Sequence, residues 1–162
     1  MKYIEYRSKI KSGDLLAWSH RGFSSWYDLK LQLIRYATRS EYVHVGIAWN
    51  FQGRVFVIEA VDPYVRIVPL GNLLPCYIVP LNLPWSKETE NLAMSYVGKG
   101  EYSQVEAIKA LFGKNKSKYL QCVEFARILL ESEGLTFDIK DLPTELVFAA
   151  QKHSGCMYYL EE

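Results

Sequence analysis

Two apolar segments separated by only three residues constrain the fold of this chain more than any other feature. Residues Val43–Asn50 and Arg54–Val61 are rich in β-branched and aromatic side chains, and the intervening Phe51-Gln52-Gly53 carries a turn signal. This pattern predicts two paired strands joined by a short hairpin. The run Val65–Leu70 follows closely and extends the β-rich region.

The order of the remaining elements indicates the fold class. The sequence predicts further strands over Leu15–Trp18, Tyr77–Leu81 and Met157–Leu160. Apolar residues at helical spacing and helix-boundary signals predict helices over Ser24–Thr38, Ser86–Val97, Ser103–Phe112, Gln121–Glu133 and Thr144–Lys152. Because strands dominate the first half and helices the second, we expect an α+β fold with an antiparallel sheet packed against helices.

The length and composition describe one globular unit. The chain has 162 residues, 49% of them hydrophobic, which suffices for a single domain over residues 1–162 with a buried core. Its net charge of +1 comes from 19 basic and 18 acidic residues, so we expect no nucleic-acid partner. The three cysteines, Cys76, Cys122 and Cys156, are too few for a disulfide framework.

The N-terminal residues and one long uncharged stretch bear on localisation. Residues 1–14 contain several charged side chains and lack the apolar core of a signal peptide. We therefore expect a cytoplasmic protein, with a phage-encoded or lysis-released protein as the alternative. Residues 67–86 carry no charge, but prolines interrupt them repeatedly, so we expect no integral membrane span.

Cys122 is the first of three residues that could carry chemistry. It is predicted to lie in the first turn of the Gln121–Glu133 helix, where unpaired backbone N–H groups favour a thiolate and can receive a developing oxyanion. Cys122 also begins an apolar stripe along this helix. A cysteine on such a stripe is most often a small buried side chain, and position alone favours that second interpretation.

His44 is the second candidate. By strand alternation it shares a face with Gly46 and Ala48, two small residues that leave room for another element to pack closely. A helix start that carries a thiol would suit this space. The alternative is a core histidine that is hydrogen-bonded to a backbone carbonyl.

Glu59 is the third candidate, because it is the only charged residue in the apolar run Val55–Val61. A carboxylate buried in a strand needs a partner, since an unpaired buried charge is strongly destabilising. His44 on the neighbouring strand is the natural partner. If Glu59 orients its imidazole toward Cys122, the three form a nucleophile, base and orienter. The alternative is an edge position at which Glu59 reaches water.

Six short segments, in order, resemble the motifs of one enzyme family. They are Gly13-Asp14-Leu15-Leu16, Val43-His44-Val45-Gly46-Ile47, Val57-Ile58-Glu59-Ala60, Tyr96-Val97-Gly98-Lys99-Gly100-Glu101-Tyr102, Gln121-Cys122-Val123-Glu124-Phe125 and Leu142-Pro143-Thr144-Glu145-Leu146. The chain thereby resembles the permuted members of the NlpC/P60 superfamily of papain-like thiol hydrolases. This branch includes YiiX-like proteins and is related to lecithin retinol acyltransferases. In it, a histidine and a polar residue precede the cysteine.

The resemblance implies a papain-like (NlpC/P60) fold in circularly permuted order and catalysis by a Cys-His-Glu triad through a thioester intermediate. Cys122 is then the nucleophile, His44 the base and Glu59 the residue that orients it. Tyr102 and Gln121 are then the residues that bind substrate or stabilise the oxyanion.

The expected activity is therefore that of a cysteine amidase or peptidase, with peptidoglycan-type peptides as the first substrate class. Two alternatives stay open: a lipid acyl hydrolase or acyltransferase of the same fold, and a papain-like module that binds without cleaving. The partner would be a peptide or an acyl-containing small substrate. We expect no metal and no other cofactor, because the three histidines show no ligand spacing. Val123 departs from the family pattern, which has a small hydroxyl residue there.

Overall fold

Six antiparallel strands, four α-helices and two short 3₁₀ helices, Arg7–Lys9 and Leu70–Leu73, form the regular structure of the part of the chain that is described. The computed structural model describes residues 1–19, 41–61, 64–98 and 118–162, and the side chains of all of these except residues 118–121. The strands are β1 (Leu15–Ser19), β2 (Tyr42–Phe51), β3 (Arg54–Val61), β4 (Tyr64–Pro69), β5 (Cys76–Val79) and β6 (Tyr158–Leu160). The helices are α1 (Tyr3–Tyr6), α2 (Lys87–Tyr96), α3 (Lys118–Ser132) and α4 (Pro143–Ser154). The α+β class is therefore confirmed.

The strands form a single sheet in the order β4-β3-β2-β1-β5-β6. Its centre is the predicted hairpin, in which Phe51 pairs with Arg54 and only Gln52 and Gly53 form the turn. Both turn residues have positive φ, 51° and 77°, as a two-residue turn matched to the twist of the strands requires. Glycine adopts this backbone conformation without strain.

Alternating side chains of the central strands enter two apolar clusters, one on each face of the sheet. On one face, Val45 and Ile47 of β2 pack in a cluster with residues of α3 and α4, including Leu129 and Leu146. We call this the helix face. On the other face, Ala48 belongs to a second cluster that contains residues of the N-terminal segment and of β3, β5 and β6. The sheet is thus covered on both sides.

Local signals set the ends of several elements. The side chain of Ser86 caps α2 by accepting a hydrogen bond from the N–H of Thr89, and Pro143 occupies the first turn of α4. Strand β5 ends at Val79 rather than at the predicted Leu81. Proline 80 lacks an N–H for the sheet, and the N–H of Leu81 donates to Oδ1 of Asp14 at 3.0 Å.

Two predicted helices, Ser24–Thr38 and Ser103–Phe112, lie outside the described residues. None of the described helices is long and apolar enough to cross a membrane.

Candidate active site

The pairing of β2 with β3 brings His44 and Glu59 together. Ile47 pairs with Ile58, and continuing this register places Gly46 opposite Glu59 and His44 one diagonal step further along. Diagonal neighbours on one sheet face are within reach of long side chains. Nε2 of His44 donates a hydrogen bond to Oε2 of Glu59 across 2.6 Å.

Glu59 is a buried carboxylate with two partners. Only 2% of its side-chain surface is exposed, and β3 lies between β2 and β4, so Glu59 is not at a sheet edge. Its second oxygen, Oε1, accepts a hydrogen bond from Nε of Arg66 at 2.8 Å and lies 2.7 Å from Nη2 of the same guanidinium in an ion pair. Burial by itself raises the pKa of Glu59, but the hydrogen bonds and charges of His44 and Arg66 hold it below its usual range. Glu59 is therefore ionised.

His44 interacts with Cys122 as well as with Glu59. Burial alone lowers the pKa of His44, but hydrogen bonds to Cys122 and Glu59 and the charges of these groups raise it to about 10. About a quarter (24%) of the His44 side chain is exposed, whereas Cys122 is buried. The structure thus brings the three predicted residues into one cluster.

Cys122 lies deeper in its helix than the sequence predicts. The described part of α3 begins at Lys118, so Cys122 is at least the fifth helical residue instead of a first-turn residue. Only the first four N–H groups of a helix lack an intrahelical acceptor. The N–H of Cys122 is therefore not a free oxyanion donor. His44, and not the helix end, is the group that interacts with the side chain of Cys122.

The space beside Gly46 is filled differently from the prediction. A Cβ atom at Gly46 would lie 2.7 Å from Cγ1 of Val57 and 3.3 Å from Cβ of Glu59. The absent side chain thus makes room for β3, and α3 packs on the helix face instead. The sequence misleads here because it does not show which neighbour approaches a small residue most closely.

The pairing of β1 with β2 is irregular beside His44. Trp18 pairs with His44, but the next residue, Ser19, pairs with Tyr42, so the register between β1 and β2 shifts at this point. Such a bulge increases the local twist and re-aims side chains. It lies at the end of β2 where His44 interacts with Cys122.

Two further residues, Arg66 and Trp18, lie in the cluster, and the sequence analysis missed Arg66. Arg66 pairs directly with Glu59 across β3 and β4, in the register that pairs Val61 with Tyr64. The ring of Trp18 lies 5.4 Å from that of His44, between centroids, and its Nε1 donates to the carbonyl of Leu73 at 2.7 Å.

The remaining predicted site residues are outside what the structure describes. Tyr102 lies among the undescribed residues, and Gln121 belongs to α3 but its side chain is not described. Within the described ranges, no group of three or more His, Cys, Asp or Glu side chains could hold a metal ion.

Comparison with known proteins finds a solved structure with a similar fold. The chain matches the crystal structure of the metalloprotein YiiX from Escherichia coli O157:H7, DUF1105, with a TM-score of 0.50 and 21% identity. The chain has a YiiX-like fold. The match covers 76% of this chain and 66% of the YiiX chain, so this chain spans just under two thirds of that length. No protein-family profile and no curated protein matches the chain.

Proposed function

We propose that this protein is a thiol-dependent hydrolase that cleaves an amide or peptide bond through Cys122, His44 and Glu59. The observation that carries the proposal is the double contact of His44, which interacts with Cys122 and with the buried carboxylate of Glu59. A nucleophile, a base and a group that orients the base are the parts that covalent acyl transfer requires. The YiiX-like fold supports it.

In the proposed mechanism, the Cys122 thiolate attacks the carbonyl carbon of the substrate and forms a tetrahedral oxyanion. The imidazolium of His44 then protonates the leaving amine, the carbon–nitrogen bond breaks, and a thioester remains on Cys122. Water, deprotonated by His44, attacks the thioester, releases the carboxylic acid and restores the thiol. Glu59 keeps the imidazole oriented and stabilises its positive charge throughout.

The proposal also includes the topology of the domain and the residues that bind the oxyanion or substrate. The order His44, Glu59, Cys122 along the chain is the order of a permuted papain-like hydrolase, and we assign that topology to the domain. Tyr102 and Gln121 are the proposed oxyanion or substrate-binding residues. One preorganised donor to an oxyanion contributes about 3 kcal/mol to transition-state stabilisation.

The test is the rate of alkylation at each cysteine as a function of pH, with the modified sites resolved by mass spectrometry. We expect iodoacetamide to modify Cys122 at least about tenfold faster than Cys156 near pH 6.5, since the thiolate is the reactive form. The His44→Ala variant should lose this advantage. Cys76 is an internal control, because burial raises its pKa to about 12.

Two outcomes would contradict the proposal. If Cys122 reacts no faster than Cys156, or if His44→Ala leaves its rate unchanged, the cluster is not a catalytic pair. The alternative of a papain-like module that binds without cleaving would then be favoured. If Cys122 is activated, stem-peptide amides compared with acyl-lipid esters will separate a peptidase from a lipid acyl hydrolase or acyltransferase.

A further inference from the structure

The two oxygens of the Glu59 carboxylate have separate partners. Oε2 accepts a hydrogen bond from His44 at 2.6 Å, and Oε1 accepts one from Nε of Arg66 at 2.8 Å and forms an ion pair with Nη2 at 2.7 Å. A carboxylate held at both oxygens cannot rotate about its terminal bond without breaking charge-assisted hydrogen bonds on each side. Arg66 therefore restricts the orientation of the oxygen that His44 uses.

The backbone places Arg66 for this contact. Arg66 and Glu59 are direct partners in the pairing of β4 with β3, so their side chains leave the sheet on the same face. The side chain of Arg66 is 40% exposed, whereas that of Glu59 is 2% exposed. The guanidinium thus stays partly hydrated while it neutralises a carboxylate that has lost its water.

A buried glutamate orients a histidine only while it remains an acceptor. Desolvation favours the protonated carboxyl group, and a protonated oxygen can no longer stabilise an imidazolium. Among the described residues, the charged groups that act on Glu59 are His44 on β2 and Arg66 on β4. Since His44 transfers its proton during turnover, Arg66 is the partner whose charge is constant.

We propose that Arg66 is a positioning residue of the active site, which holds Oε1 of Glu59 so that Oε2 stays aimed at Nε2 of His44. The inference rests on the proposed function and extends the triad by one residue, in the order Arg66, Glu59, His44, Cys122. Arg66 acts through Glu59, so its effect requires the carboxylate.

The test compares four variants with the native chain: Arg66→Gln, Arg66→Lys, Glu59→Gln, and Arg66→Gln combined with Glu59→Gln. Arg54→Gln is the matched control, because Arg54 is an exposed arginine at the hairpin end of β3. Two quantities are measured against pH: the alkylation rate of Cys122, and the ¹³C chemical shift of the Glu59 carboxyl carbon in the chains that retain Glu59.

We expect Arg66→Gln to move the acid limb of the alkylation profile and the Glu59 titration toward higher pH. At about pH 5 the alkylation rate should fall about three- to tenfold. This is the effect expected from the loss of one charge-assisted hydrogen bond that solvent partly screens. Arg66→Lys should restore part of this loss, because the charge is retained. In the Glu59→Gln background, Arg66→Gln should have no further effect.

The inference is overturned if the Glu59 titration in Arg66→Gln matches that of the native chain and of Arg54→Gln. It is also overturned if Arg66→Gln slows alkylation equally with and without the Glu59 carboxylate, since Arg66 would then act by another route. If Cys122 of the native chain is itself unreactive, the proposed function fails, and the carboxyl titration alone decides whether Arg66 holds Glu59.

Discussion

Nε2 of His44 lies 2.6 Å from Oε2 of Glu59, and this hydrogen bond joins two strands at a carboxylate with 2% of its side-chain surface exposed. Removing one partner of a buried charge–charge contact strongly destabilises a protein, because the other partner remains desolvated without a counter-charge. The contact therefore affects both the stability of the protein and the reactivity of Cys122, and the two can be measured separately.

The Glu59→Gln variant should lower the free energy of unfolding by about 1–3 kcal/mol, since a neutral amide leaves two cationic partners without a counter-ion. It should also slow alkylation of Cys122. Urea denaturation and alkylation rates measure the two effects. Glu131→Gln is the control: Glu131 forms an exposed i,i+4 pair with Arg127, and its loss should cost no more than about 0.5 kcal/mol. Equal effects of the two substitutions would contradict a buried ion pair at Glu59.

The free energy of unfolding should depend on pH through the ionisation of His44 and Glu59. The folded pKa of His44, about 10, lies above its ordinary 6.5, so its contribution is complete below pH 6.5 and is lost as the pH rises toward about 10. Glu59 has a folded pKa below its ordinary 4.5. Its contribution is present above pH 4.5 and is lost as the pH falls through the folded value. The pair therefore stabilises the fold most between pH 4.5 and 6.5.

This window can be tested by urea denaturation at about pH 5.5 and about pH 8.5. The native chain should lose more stability between the two pH values than the His44→Gln variant, in which the titrating imidazole is absent. Parallel changes in the two proteins would show that His44 does not titrate as the hydrogen bonds imply.

Gly46→Ala should destabilise the protein by about 1–3 kcal/mol through overpacking. The new Cβ would lie 2.7 Å from Cγ1 of Val57, and Val57 is fully buried. Gly71→Ala is a matched control, because its Cβ would meet only Tyr3 at 3.9 Å. The thermal unfolding midpoints of the two variants are compared. If Gly46→Ala is as stable as Gly71→Ala, then β2 and β3 can move apart to accommodate the new Cβ.

The thiol of Cys76 should not react with a disulfide reagent at about pH 8 while the protein is folded. Burial raises its pKa to about 12, and 1% of its surface is exposed. Its modification should therefore occur only on unfolding, and urea should accelerate it in step with the loss of circular dichroism. Rapid reaction of Cys76 in the native state would mean that β5 opens locally.

Part of the site could be predicted from the sequence because its signals are local. The Gln52-Gly53 turn sets the register of β2 and β3, and a lone acidic residue in an apolar strand required a partner nearby, so His44 and Glu59 could be paired. Arg66 was missed because the sequence analysis did not set the register between β3 and β4, in which Val61 pairs with Tyr64 and Glu59 with Arg66.

The alternation and turn chemistry of the sequence by themselves determined the α+β class, the central hairpin and the neighbourhood of His44 and Glu59, because each depends on residues close together in the chain. Only the tertiary structure decided that β3, and not α3, fills the space beside Gly46, and that His44 interacts with Cys122. These contacts join segments far apart in sequence, and their geometry depends on how whole elements pack rather than on the preferences of any one segment.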